Sequence, residues 1–257
     1  MEITLEQLKK LRDATGVSMT ACKKALEEAG GDFELAIDVL RKKGEAKAGE
    51  RAGRTTGQGA VVVKSEGGKT AMVELQCETD FVARGDDFIA VGEKMADKLL
   101  KGEIKAEDRD FPEITDAALR LGENVQIGNM ALIEAPNVGE YIHSNRKIGV
   151  VVSLGGGTPE LAKDIAMHIA AANPQVLSPD EVGQELVDRE KAIWTEQLKS
   201  EGKPAEIVEK IMMGKEKKFR EENALLKQAF VKDPEKTIEQ LVAAAGTDIR
   251  GFIRFAL

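Results

Sequence analysis

The chain has 257 residues, 42% hydrophobic and 32% charged, enough for two or three small domains and ordinary for a globular protein with much exposed helix. A net charge of −8 and a pI near 5.1 argue against a whole-protein nucleic-acid footprint, which needs a basic face, and leave only a local basic patch open. The N-terminus is acidic and lacks a long apolar run, so it reads as neither signal nor transit peptide; with no stretch near the roughly 20 apolar residues of a membrane span, a cytoplasmic protein is expected.

Residues 4–44 read as three short helices. Thr4 can cap the first, with Leu5, Leu8 and Leu11 on one face and Gly16 at its end. Ser18 can cap the second, which runs to Gly30-Gly31. Asp32 can cap the third, with Leu35, Val39 and Leu40 inward and Gly44 at the end. This unit, residues 1–44, resembles a ubiquitin-associated-type fold, a common protein-binding module. It is small for independent stability. In residues 45–58, charge, Ala and Gly replace the apolar periodicity. They read as a linker whose first part can extend the third helix.

Strand signals start at Gly59, in Ala60-Val61-Val62-Val63. Glu66-Gly67-Gly68-Lys69 reads as a turn, and Thr70 to Cys77 as the second strand of a hairpin. Phe88, Val91, Met95 and Leu99 follow at helical spacing. A further helix spans 113–122, and Val125–Ala135 returns to strand. Ile148-Gly149-Val150-Val151-Val152 echoes Gly59-Ala60-Val61-Val62-Val63, which points to two related α+β subdomains, 59–140 and 141–257. Gly155-Gly156-Gly157 turns the chain into a helix over 159–172 that starts with Pro159. Residues 181–200 and 205–226 are charged helices with thin apolar stripes: Val187, Trp194 and Leu198, then Ile207, Val208, Ile211 and Met212. Gly202-Lys203-Pro204 between them makes an antiparallel helical hairpin of about 181–226. Strand-like Phe252-Ile253-Arg254-Phe255 closes the chain. The expected fold class is α+β: a three-helix domain, then two subdomains with antiparallel sheets and a protruding hairpin.

The enzyme readings are weak. Gly67-Gly68-Lys69-Thr70 looks like the end of a phosphate-binding loop, but Val63 stands where that pattern needs a Gly, and a strand follows where it needs a helix. Gly155-Gly156-Gly157 lies between strand and helix but lacks the GxGxxG spacing and a downstream acidic ribose reader. His143 and His168 are the only histidines, with no zinc-like pattern around them. His168, on an Ala-rich helix, is either a satisfied core histidine or part of a contact surface, and the residues alone favour the core. Asp86-Asp87 reads as a helix cap or a solvated pair, since two carboxylates alone do not make an acid/base pair. Cys22 and Cys77 form no disulfide framework or CxxC pair; a single bridge and two reduced thiols both stay open, and the simpler reading is two thiols. No metal, cofactor or catalytic residue is assigned.

The most informative segment is Cys77-Glu78-Thr79-Asp80-Phe81-Val82-Ala83-Arg84, between the second strand and the next helix. A Phe at such a corner either tucks into its own core or projects toward a partner. Composition and periodicity favour the first. Thr79-Asp80-Phe81-Val82 closely resembles the signature of the elongation factor Ts family, the guanine-nucleotide exchange factors of elongation factor Tu. Leu11–Gly16, Cys22–Leu26, Gly31–Ile37, Ala166–Ala171, Glu201–Pro204, Phe230–Pro234 and Gly251–Phe255 resemble further landmarks of that family, in order.

The resemblance implies a function. Phe81 is the wedge that enters an apolar pocket on elongation factor Tu, Asp80 its polar anchor, and Thr79 and Val82 the supports of the corner. The partner's magnesium and phosphate site is disturbed and GDP leaves. Ile148, Gly149 and His168 match further contact points, which reverses the core reading of His168, and Lys23 and Lys24 are weaker contact candidates. Neither nucleic acid nor membrane is contacted directly. The 183–226 hairpin resembles the family's dimerisation element and either pairs with a copy of itself or only protrudes. Longer members continue beyond the position of Leu257 into an extra module, whose contacts this sequence lacks. The alternative is a translation-associated scaffold of the same fold without exchange activity.

Overall fold

A computed structural model describes residues 3–51, 53–200 and 205–257. They form two units. The first holds the chain up to Leu132 with Ser144–Ile148 and Phe255–Leu257; the second holds Ile133–His143 and Gly149–Arg254.

The first unit begins with α1 (Leu5–Thr15), α2 (Met19–Glu28) and α3 (Phe33–Arg51). Each expected cap is made. The Thr4 hydroxyl accepts from the Gln7 amide at 3.2 Å, while Gln7 Oε1 accepts from the Thr4 amide at 3.0 Å, a reciprocal box. Ser18 Oγ accepts from the Ala21 amide and Asp32 Oδ1 from the Leu35 amide. Leu11, Val17, Cys22, Ala25, Leu26, Ala36 and Leu40 form the core.

Three expectations fail here. Leu5 is 62% exposed and Leu35 55% exposed. The inward face of α3 is Phe33, Ala36, Ile37 and Leu40 with Val39 packed beside them, so Val39 and Leu40 stand as expected and Leu35 alone does not. Gly44 does not end α3, which runs to Arg51. A Cβ on Gly44 would lie 2.7 Å from Leu119 Cδ2, so the glycine admits a neighbouring helix. The Ala- and charge-rich residues after it have high helix propensity and continue the helix into the expected linker. Arg51 then donates to the Ala118 carbonyl at 3.0 Å.

The rest of the unit comprises β1 (Gln58–Glu66), β2 (Lys69–Cys77), α4 (Asp80–Ala83), α5 (Asp86–Leu100), α6 (Pro112–Leu121) and β3 (Gln126–Glu134) up to Leu132. The sheet order is β1-β2-β3. β1 and β2 pair antiparallel, from Gln58 opposite Cys77 to Glu66 opposite Lys69. Gly67 and Gly68 both have positive φ, +59° and +80°, as a two-residue primed hairpin turn requires. The turn reading of this segment therefore stands over the phosphate-loop reading. Phe88, Val91, Met95 and Leu99 of α5 are buried against the sheet as their spacing predicts. Gly92 lets α5 approach Val62, whose Cγ2 would lie 2.8 Å from an added Cβ.

The second unit holds β4 (Val138–Ile142), β5 (Ile148–Leu154) from Gly149 on, α7 (Pro159–Ala172), α8 (Gln184–Ser200), α9 (Ala205–Asn223), β6 (Ala229–Phe230), β7 (Asp233–Thr237), α10 (Ile238–Ala244) and β8 (Ile249–Ala256) up to Arg254. Its main sheet has the order β4-β5-β8, and β6 pairs with β7. Both units thus use one plan: a hairpin, a helix on its face, and a third strand beside the hairpin's second strand. The sequence echo aligns β5 with β1, but the topology equates β5 with β2, because β4 is the first strand of the second hairpin. β4 is not announced by the sequence, and the boundary at 140/141 cuts through it. Gly139 stands in β4 for a reason: a Cβ there would sit 2.2 Å from the Ala162 backbone of α7.

The hairpin helices α8 and α9 bury Val187, Trp194 and Leu198, with Trp194 edge-on to Phe219 at 5.7 Å between centroids. Ile207, expected in the seam, is 49% exposed, and Phe219 takes part instead. The Gly202-Lys203-Pro204 turn lies outside the described residues. Glu216 accepts from Lys191 at 2.7 Å and Arg220 at 3.1 Å, and these cations hold its carboxyl below the usual carboxylate range. Stability from this depressed group is complete above the unfolded pKa and is lost as pH falls through the folded one. The site is solvent-screened, so Glu216→Gln is expected to cost under about 1 kcal/mol. Urea unfolding followed by Trp194, the chain's single tryptophan, checks this.

Candidate partner-binding corner

β2 ends at Cys77 and α5 begins at Asp86. Between them α4 makes a single turn. Thr79 precedes it in extended backbone, φ −120° and ψ 154°, and its hydroxyl oxygen accepts from the Val82 amide at 3.4 Å. Val82 is half-buried against the first unit's core and Ala83 is buried. The two hold the inner side of the turn. Phe81, about 100° round the helix from Val82, faces away and is 86% exposed. The inward reading that composition favours is therefore wrong: the aromatic projects.

A carboxylate far along the sequence fixes the turn's entry. Glu123 Oε2 accepts from the amides of Glu78 and Thr79, each at 3.0 Å. Glu123 Oε1 accepts from the Thr79 hydroxyl at 2.5 Å. The Glu78 carboxylate answers in the other direction, accepting from the Asn124 amide at 2.7 Å and from Arg54 Nη1 at 3.4 Å. Beneath these groups, the Cys77 thiol donates to the Thr79 carbonyl at 3.2 Å. Burial pushes this thiol up to about 12, and the Glu123 and Glu78 charges add to the push. It is a neutral donor at neutral pH and no nucleophile. On the outer side, Asp80 pairs with Arg84 at 2.9 Å.

Thr79, Asp80, Phe81 and Val82 thus form one unit of structure. The other candidate residues belong to other elements. Lys23 and Lys24 are exposed on α2, Lys23 within 3.8 Å of Glu27. Ile148 opens β5 half-buried. Gly149 is buried in that strand opposite Ile142, in the second unit. His168 is fully buried on α7. Its Nε2 meets Gln228 Oε1 at 3.0 Å, and its Nδ1 accepts from the Val231 amide at 3.3 Å. The imidazole presents no surface to a partner. For this residue the core reading stands and the reversal does not, because both ring nitrogens are spent inside the fold.

The glycine triplet is a turn. Asn137 Nδ2 donates to the Gly156 carbonyl at 2.5 Å, and the Gly155 amide donates to the Asp248 carbonyl at 2.9 Å. The Asp248 carboxylate lies against Gly155, the wrong charge for an anion site. Among the described residues there is no group of three metal-ligating side chains, and no helix is long and apolar enough to cross a membrane. Sequence reasoning missed Glu123, Glu78 and Asn124. Gly122-Glu123-Asn124 reads only as a helix end, and nothing local ties it to a corner 45 residues earlier.

The fold and the corner define an α+β protein that carries an exposed aromatic on a hydrogen-bonded turn at the end of a strand. Residues 78–257 match the family model described as Elongation factor TS, which begins at the corner itself. Elongation factor Ts of Hydrogenobaculum sp. is 45% identical, with 100% of this chain and 99% of that protein covered. Elongation factor Ts of Alcanivorax borkumensis is 47% identical, over 97% of this chain and 92% of its own length. That of Pseudomonas fluorescens is 45% identical, over 100% and 91%. The chain belongs to the elongation factor Ts family, a family of translation elongation factors.

Proposed function

We propose that this chain is a non-enzymatic guanine-nucleotide exchange factor that binds GDP-bound and nucleotide-free elongation factor Tu and promotes GDP release in the cytoplasm. The observation that carries the reading is Phe81, 86% exposed on a turn whose Val82 and Ala83 are held inward. A Phe that leaves water for a partner's pocket contributes roughly 1.5–3 kcal/mol to that contact. Asp80 supplies a charge beside it. Magnesium requires near-ideal octahedral oxygen geometry, so a small displacement of the partner's ligands by such a wedge weakens nucleotide binding. Linkage then operates in both directions: the factor by which this chain weakens GDP is the factor by which GDP weakens this chain. Lys23, Lys24, Ile148 and Gly149 are further contacts in this reading, and His168 contributes by holding residues 228–231.

The test is release of a fluorescent GDP analogue from elongation factor Tu, followed after addition of excess unlabelled GDP. Substoichiometric amounts of the chain are expected to accelerate release. Binding without acceleration would replace the exchange reading with that of a scaffold.

A further inference from the structure

We infer that Glu123 is the positioning residue that aims Phe81, an inference that rests on the exchange reading above. One carboxylate receives three hydrogen bonds from two consecutive residues: the amides of Glu78 and Thr79, and the Thr79 hydroxyl. These residues are the entry to α4, so the direction in which Phe81 leaves the turn is set from there. The clamp is reciprocal, since Glu78 binds the Asn124 amide next to Glu123. Two chain segments 45 residues apart are thereby locked in register. Of the other polar restraints on the turn, Asp80 with Arg84 and the Thr79 hydroxyl with the Val82 amide lie within it, and the neutral Cys77 thiol gives a single bond to the Thr79 carbonyl.

Loss of Glu123 leaves anchors behind. Val82 and Ala83 still pack on the core, and Cys77 still reaches the Thr79 carbonyl. The corner loosens instead of unfolding, and Phe81 samples directions that do not fit a pocket. Reordering about one residue on docking lowers kcat/KM for stimulated GDP release roughly 5- to 30-fold. The loss runs through Phe81 alone, so it disappears when the ring is absent.

A double-mutant cycle tests this. Glu123→Ala, Phe81→Ala and the pair are compared with the parent for kcat and KM of GDP release. The expected result is a clear loss for Glu123→Ala in the parent, and under about twofold in the Phe81→Ala background. Glu123→Gln keeps a carbonyl oxygen for both amides and is expected to stay within about threefold of the parent. Equal losses in the two backgrounds, or none in the parent beside a slow Phe81→Ala, overturn the inference alone. Parental exchange by Phe81→Ala overturns the wedge and the inference together. Native-state hydrogen exchange reads the clamp even if Glu123→Ala does not fold. Protected amides at Glu78 and Thr79, retained in Glu123→Gln, support it, and unprotected amides in the parent overturn it.

Discussion

Replacing Phe81 with alanine is expected to lower kcat/KM for stimulated GDP release roughly 10- to 150-fold while leaving stability within about 0.5 kcal/mol of the parent. The two halves of this expectation have one cause. At 86% exposure the ring makes almost no contact with its own protein, so its removal costs the fold nothing. What is lost is transfer of that ring from water into a partner, worth roughly 1.5–3 kcal/mol, and every 1.4 kcal/mol is about tenfold. Buried aromatics near the centre of an interface carry a large share of its energy. Most core aromatics behave in the opposite way. Phe88, seven positions on and fully buried, would lose stability first and activity only as a consequence. Phe81→Leu keeps part of the apolar surface and should fall between parent and alanine. Stimulated exchange and urea unfolding on the same preparations separate the cases. A Phe81→Ala protein that folds and exchanges like the parent would remove the wedge from the proposed mechanism.

How much of this could be read from the residues depends on whether the cause is local. The caps at Thr4, Ser18 and Asp32 were legible because each acts on an amide three residues away. The α5 stripe was legible because fifteen residues are enough for a helical period to show. The direction of Phe81 was not, since four residues of α4 carry no period, and only the family resemblance pointed it outward. Gly44 looks like a helix stop in sequence, but its role is set by Leu119 on another helix. Leu5 and Leu35 look like core because they are leucines at helical spacing; in so small a three-helix unit the core is too thin to cover them. Glu123 was invisible for the same reason as Gly44, because its partners are brought to it by the sheet.

His168→Ala is expected to cost roughly 3–5 kcal/mol, the sum of a buried side-chain deletion and an orphaned amide at Val231. The imidazole sits 6.1 Å from the Phe230 ring and links α7 to the 228–231 segment. Since Nδ1 accepts from an amide, the proton of the neutral ring is on Nε2, where it is donated to Gln228 Oε1. Burial pushes the imidazole below its usual value, and the Gln228 contact offsets only part of that push. The sign of the pH dependence follows. Above the unfolded value of about 6.5 both states are neutral and the contribution is complete. As pH falls through 6.5 toward the folded value, the unfolded chain takes up a proton that the native state excludes, and stability drops. The depressed carboxylates lose their contributions only below the ordinary carboxylate value of about 4.5. In Glu113, burial pushes the carboxyl up, but Lys98, a backbone amide and Lys94 together outweigh that push, so its contribution is lost only as pH falls below about 4.5 toward the folded value. Urea midpoints at pH 7.5 and 5.5 therefore isolate the histidine, and His168→Gln should flatten the difference between them. If the parent itself shows no difference, the buried neutral ring is wrong. Exchange assays on folded His168→Gln settle the other half: a core group predicts near-parental kcat/KM once stability is matched, whereas a direct partner contact predicts slow exchange from a protein of ordinary stability.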